Sequence, residues 1–149
     1  MEIRNKQGQL IYSGEESHNF GDLDLREAVL EGMTLQGVYF ADSNLEGANL
    51  RGADLSWGNF FLDNLTGADL EGAQLQGADL TEANLTNANL RNANLGRDNL
   101  GGSTHLQGAI LNGAILKLAN LEGAEYSVDT VFPENFSPQE SKMILRDRA

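Results

Sequence analysis

An apolar residue returns at every fifth position through most of the chain: Phe20, Leu25, Leu30, Leu35 and Phe40 open a series that runs to Leu100. A helix repeats at about 3.6 residues and a strand at about two, so this period belongs to neither alone. With one residue inserted in Gly101-Gly102-Ser103-Thr104-His105, the series resumes at Leu106 and passes through Leu111, Leu116 and Leu121 to Tyr126. A short fixed repeat signals a solenoid, because each unit buries its apolar side only by stacking on its neighbours. Three segments follow: a cap over residues 1–17, the repeat over 18–126 with a one-residue insertion at 101–105, and a second cap over 127–149.

The commonest unit reads Ala-Asp/Asn-Leu-x-Gly, as in Ala48-Asn49-Leu50-Arg51-Gly52 and Ala68-Asp69-Leu70-Glu71-Gly72. In this it resembles the pentapeptide repeat family of bacteria over residues 18–126. The resemblance implies an all-β fold, a right-handed quadrilateral parallel β-helix with four pentapeptides per coil and about five and a half coils. Residues twenty apart should then stack, and Phe20, Phe40 and Phe60 fall in one such column. Glu31, Arg51, Glu71 and Arg91 alternate in sign along another, and Arg26 stands beneath Glu46. Ala28, Ala48, Ala68, Ala88 and Ala109 fill an inward column with small side chains, and Ala53, Ala73, Ala93 and Ala114 the next.

Both ends of such a stack expose an apolar, unpaired edge that invites polymerisation. Glu2 to Ser13 reads as a β-hairpin lid with Ile3, Leu10 and Ile11 facing the first coil. Beyond Tyr126, Phe132 and Phe136 are placed to plug the last coil, in a stretch similar to the endings of bacterial family members. Ser137-Pro138 then reads as an N-cap followed by proline at the first helical position, predicting a short terminal helix cap through Leu145. With both ends closed, a monomer or a side-by-side dimer is expected rather than an end-to-end polymer.

The net charge of −12 opposes direct binding to nucleic acid or an anionic membrane, both of which need basic surface. It favours a protein partner with basic surface. There is no cysteine, and Met1 to Lys6 carries no apolar leader, so a soluble cytoplasmic protein is expected. His18 and His105 lie at opposite ends of the repeat, with no nucleophile, metal or phosphate-loop spacing around them. The sequence therefore predicts no enzyme activity, no cofactor and no metal site.

Departures from the repeat carry the functional expectations. Ser43, Asp63 and Asp98 replace the small inward alanine and form a candidate polar defect. Asp63 should point into the column, hydrogen-bonded to Ser43 and nearby amides or serving a polar site, with its pKa raised by burial. Trp57 occupies a corner where glycine is usual, Phe61-Leu62 follow the central Phe60, and Tyr39 lies one coil below Asn59. Tyr39, Trp57, Phe61 and Leu62 are the candidate partner surface, since such residues are enriched at binding hot spots; the alternative is that the hairpin or another segment of the chain covers them. Ile110 and Ile115 stand where Asp or Asn is usual, with the terminal helix expected to cover them. The leading reading is a non-catalytic interaction scaffold, a rigid acidic rod presenting an aromatic patch. The alternative, from the resemblance, is a DNA mimic that binds a type II topoisomerase such as gyrase; it is weakened by the lack of projecting loops.

Overall fold

A computed structural model describes residues 1–15 and 18–147 of the chain. Each five-residue unit makes one turn. The Ala48 N–H donates to the Leu45 carbonyl at 3.0 Å, and the residue between them at Gly47 has φ 67°. Glycine reaches that region without a Cβ clash, which explains its recurrence at the corner. The Asp or Asn that stands before most central residues has a local task too. Its Oδ1 accepts the N–H two residues on: Asn49 Oδ1 from Arg51 at 3.2 Å, and Asp69 Oδ1 from Glu71 at 3.1 Å. Such Asx turns stabilise a bend locally.

Successive coils pair in parallel at a spacing of twenty residues: Asn44 with Asn64, Asn64 with Asn84, Asp69 with Asn89. The Leu50 N–H donates up to Asp69 at 2.8 Å, and the Asp69 N–H donates back to Ala48 at 2.9 Å. Four five-residue units thus complete each coil, and the central Leu and Phe residues meet inside a β-helical column. Phe20, Phe40 and Phe60 stack with centroids 5.2 and 5.4 Å apart. The charge columns are less regular than expected. Arg51 closes on Glu71 at 2.7 Å and on Asp69 at 3.3 Å, while Glu31 accepts from Asn49 and Arg26 pairs with Asp24 of its own coil rather than Glu46.

The register then jumps. Asp79 pairs with His105, Asn84 with Ile110, Asn89 with Ile115 and Asn94 with Asn120, each 26 residues apart. The chain therefore leaves the coil for six residues, Arg97 to Gly102, and the expectation of one inserted residue at 101–105 is corrected. Leu100 is no central residue; it is 90% exposed, and Leu106 takes the place above Leu80. The inward column above Ala88 continues with Ala114 rather than Ala109. Keeping the five-residue frame would have put the Asp98 carboxylate inside the column, a costly burial without a partner.

Strands β1 (Glu2–Arg4) and β2 (Leu10–Ser13) form an antiparallel hairpin against the first coil. Ile3 is buried, Tyr12 meets Phe20 edge-on at 5.1 Å, and Val29 donates to Arg4 at 2.8 Å. Leu10 stays exposed. At the other end Tyr126, Phe132 and Phe136 form a second aromatic cluster. The expected terminal helix does not form, and no helix occurs among the described residues. Ser137 Oγ accepts the Glu140 N–H and Met143 donates to Pro138, giving one turn, which Lys142 ends with φ 57°. The chain then runs as β4 (Ile144–Leu145) in parallel with β3 (Glu125–Tyr126). An isolated helix this short is marginal, whereas the open edge of the last coil offers it a ladder: Ile144 donates to Ala124 at 2.9 Å and Arg146 to Tyr126 at 2.7 Å. The terminal segment consequently does not cover Ile110 and Ile115, which remain partly exposed.

Candidate partner surface

The six-residue excursion is a built loop. Asp98 Oδ1 accepts the N–H groups of Leu100 at 2.8 Å and Gly102 at 2.6 Å, and the Asp98 N–H donates to the Gly102 carbonyl at 2.9 Å. At its exit, Thr104 is buried and donates to the Leu75 carbonyl at 2.9 Å. Trp57 ties the loop to the coil beneath. Its indole N–H donates to Asp98 Oδ2 at 2.7 Å, and its ring crosses Gly77, where a Cβ would collide with it at 2.6 Å. The indole N–H, followed by the Gly102 and Leu100 amides, holds the Asp98 carboxyl below its usual range.

Trp57 is nonetheless 49% exposed. It and Leu62 occupy corners with φ 60° and 59°, a region that costs a bulky residue about 1–2 kcal/mol. Neither side chain is buried in return. Two of the three rings of the expected patch turn in opposite directions along the column: Trp57 leans over Gly77 of the following coil, and Tyr39 over Gly21 of the preceding one. Phe61 and Leu62 sit at the next corner, Phe61 half-buried with its N–H bound to Asn59 Oδ1 at 3.0 Å and Leu62 exposed. Trp57 therefore groups with the loop, and the other three residues with the face beside it.

The expected polar defect divides as well. Asp63 is fully buried, Ser43 Oγ donates to its Oδ1 at 2.7 Å, and its Oδ2 meets no donor among the described residues. Burial pushes its carboxyl up to about 8, against the pull of the Ser43 hydroxyl and amide. Asp98 does not join this pair; it has left the interior for the loop. Sequence reasoning missed Leu100, Asp54 and Gln76 beside Trp57. The available signal was Asp98 in an inward slot, followed by the Gly101-Gly102 doublet. Among the described residues, no cluster of His, Asp or Glu could hold a metal ion, and no helix is long and apolar enough to cross a membrane.

Stacked twenty-residue coils with small inward residues define a β-helical repeat protein. The pentapeptide repeats profile matches residues 19–60 and 64–97 in 8 copies, and the chain belongs to the pentapeptide repeat family, whose members form right-handed β-helical solenoids. Among solved structures it is similar to the pentapeptide repeat protein Rfr23 of the cyanobacterium Cyanothece 51142, with 37% identity and a TM-score of 0.61 over 66% of this chain and 63% of that one. It is also similar to HetL of the cyanobacterium Nostoc sp. strain PCC 7120, a protein involved in heterocyst differentiation regulation, with 30% identity and a TM-score of 0.72 over 85% and 56% of the two chains. A pentapeptide repeat protein of the Arabidopsis thaliana thylakoid lumen shares 30% identity, with a TM-score of 0.53 over 66% of this chain and 68% of that one. The chain spans less than two thirds of the length of Rfr23 and of HetL. No protein of curated function matches this sequence.

Proposed function

We propose that the protein is a non-catalytic interaction scaffold: a rigid acidic β-helical rod that binds another protein through the side carrying Trp57 and the Arg97–Gly102 loop. The loop's construction carries this reading. Six residues that take no part in the stack are ordered by their own hydrogen bonds, and they hold Leu100 in water at 90% exposure. Such a residue adds nothing to packing, while ordered apolar side chains beside a tryptophan are the material of binding hot spots. The net charge of −12 favours a basic partner. Tyr39, Phe61 and Leu62 extend the surface around the corner.

The test is affinity capture from bacterial lysate beside Trp57→Ala and Leu100→Ser. A defined protein retained by the parent and lost by both variants, with their melting temperatures unchanged or nearly so, supports the reading. A partner held equally by all three overturns it. The second reading, mimicry of DNA toward a type II topoisomerase, draws on the charge and on the loop that sequence alone did not reveal. Gyrase supercoiling untouched by excess protein disposes of it.

A further inference from the structure

The loop and the coil below it enclose a groove of about 450 Å³, lined by Asp54, Ser56, Trp57, Gln76, Asp98 and Leu100 among others. The charged side chains there, Asp54 and Asp98, are both acceptors, and amide and hydroxyl groups make up the rest of the polar wall. Asp54 uses Oδ1 for the Ser56 amide and hydroxyl at 3.2 and 2.8 Å, and Oδ2 for the Gln36 amide at 2.5 Å. Gln76 Oε1, behind the groove wall, is buried and meets no donor among the described residues. The Trp57 indole N–H is already committed to Asp98, the Ser56 hydroxyl to Asp54 and the Gln74 amide to the Gly72 carbonyl. Neither Asp54 nor Asp98 pairs with a lysine or arginine among the described residues. The cation nearest in sequence, Arg97, turns the other way and lies over Gly123.

Two carboxylates, a half-exposed indole ring and an exposed leucine therefore line one space, with no positive charge beside them among the described residues. An occupant complementary to it brings a cation, several N–H donors and a flat apolar surface. Arginine has all three: its guanidinium carries five donors, stacks on aromatic rings, and is less strongly hydrated than an ammonium. Its aliphatic stem can lie along Leu100 while the head reaches the carboxylates. We propose that this groove receives an arginine side chain from a protein partner, stacked against Trp57 and hydrogen-bonded to Asp54 and Asp98. This rests on the reading of that side of the rod as the partner surface, and it names the chemical group the surface selects.

Trp57 is the chain's only tryptophan, so its fluorescence reports the groove directly. The probe is the blocked tripeptide acetyl-glycyl-arginyl-glycine amide, titrated beside its lysine and citrulline counterparts. The arginine peptide is expected to change the emission saturably, the lysine peptide to bind more weakly, and the citrulline peptide not to bind. Asp54→Asn should weaken the arginine peptide about tenfold, as loss of a charge-assisted contact does. That substitution is safe for the fold, because asparagine holds the same place in the unit at Asn49 and Asn64. Added salt should weaken binding further.

A flat titration overturns the proposal, as does equal binding of the arginine, lysine and citrulline peptides or indifference to Asp54→Asn. Partner capture separates the two levels of inference. If Leu100→Ser loses the partner while Asp54→Asn keeps it and the peptide does not bind, the arginine groove falls and the scaffold stands. If Leu100→Ser keeps the partner too, both fall.

Discussion

From Asp22 to Asn92 the chain places a residue of positive φ at every fifth position without exception; at Arg97 the rhythm stops, and it returns at Gly108. In the regular part the corner accepts glycine, Asp42, Glu82, Asn87, Trp57 and Leu62, all with positive φ near 60–70°. The backbone bends the same way whichever side chain stands there, because the inward alanines and the stacked central residues hold the coil against the strain of a non-glycine corner. In the irregular part the relation reverses. The stack continues above and below as if nothing had intervened, while the loop keeps its shape through Asp98, Trp57 and Thr104. Stability resides in the first region, and what distinguishes this rod from a plain one resides in the second.

The sharpest way to break that division is to strike the stack. Phe40 lies between Phe20 and Phe60 and is fully buried. Phe40→Ala should cost about 3–5 kcal/mol, the range for a buried phenylalanine, measured by urea unfolding. A loss below about 1 kcal/mol, far under that range, would show that the column is not the source of stability.

Asp63 is the flaw within the regular region, and its effect depends on pH. Its carboxyl titrates near 8 when folded and near 4 when unfolded, so the folded state holds the proton more tightly. Stability from this group is complete below about pH 4 and is lost as the pH rises toward 8, by up to about 1.4 kcal/mol per pH unit. Asp63→Ala fills the slot with the residue usual there, and should flatten that slope and raise the melting temperature at pH 8. A steep drop in melting temperature at every pH would instead show that Asp63 anchors a network the stack requires.

Excising the loop tests the other side of the comparison. Joining Gly96 to Ser103 places Leu106 five residues after Leu95 and restores the twenty-residue register. The shortened protein should fold, with a melting temperature within a few degrees of the parent, because loop length enters closure entropy only logarithmically. Partner capture should be lost. A shortened protein that fails to fold would make the loop part of the stack's support.

The solenoid was legible because its signal is repeated: Phe20, Phe40 and Phe60 each report the same twenty-residue coil. The loop was not, because Asn99-Leu100 imitates the Asn-Leu of an ordinary unit. Only Asp98 in an inward slot and the glycine doublet disclose that the frame has been left. The Trp57–Asp98 hydrogen bond joins residues 41 apart and depends on a register that the sequence misstates by five residues. The terminal helix was misread for a different reason. Ser137-Pro138 is a sound helix start, but the competing partner for residues 142–146 is the edge at Gly123–Tyr126, which only the assembled stack creates. The candidate site was half legible: Trp57 stood out as an odd corner, whereas Asp54 and Gln76 are ordinary repeat residues until the loop closes over them.

The smallest expected effect belongs to the most conspicuous ion pair. Arg51 bridges Glu71 and Asp69 across coils, with 42% of its side chain exposed. Its neighbours hold the guanidinium protonated, the Glu71 hydrogen bond foremost, and Arg51 in turn keeps Glu71 below the usual carboxylate range. Solvent screens such a pair, and ordering two long side chains offsets much of the attraction, so exposed pairs contribute about 0–1 kcal/mol. Arg51→Ala should therefore lower the melting temperature only slightly in dilute buffer, and the difference should shrink as salt is added. Paired melts of parent and variant at low and high salt measure both quantities. A larger, salt-independent loss would mean that the aliphatic stem of Arg51, rather than its charge, shields the backbone ladder, and that the outer residues of the regular coils are less interchangeable than their shared backbone implies.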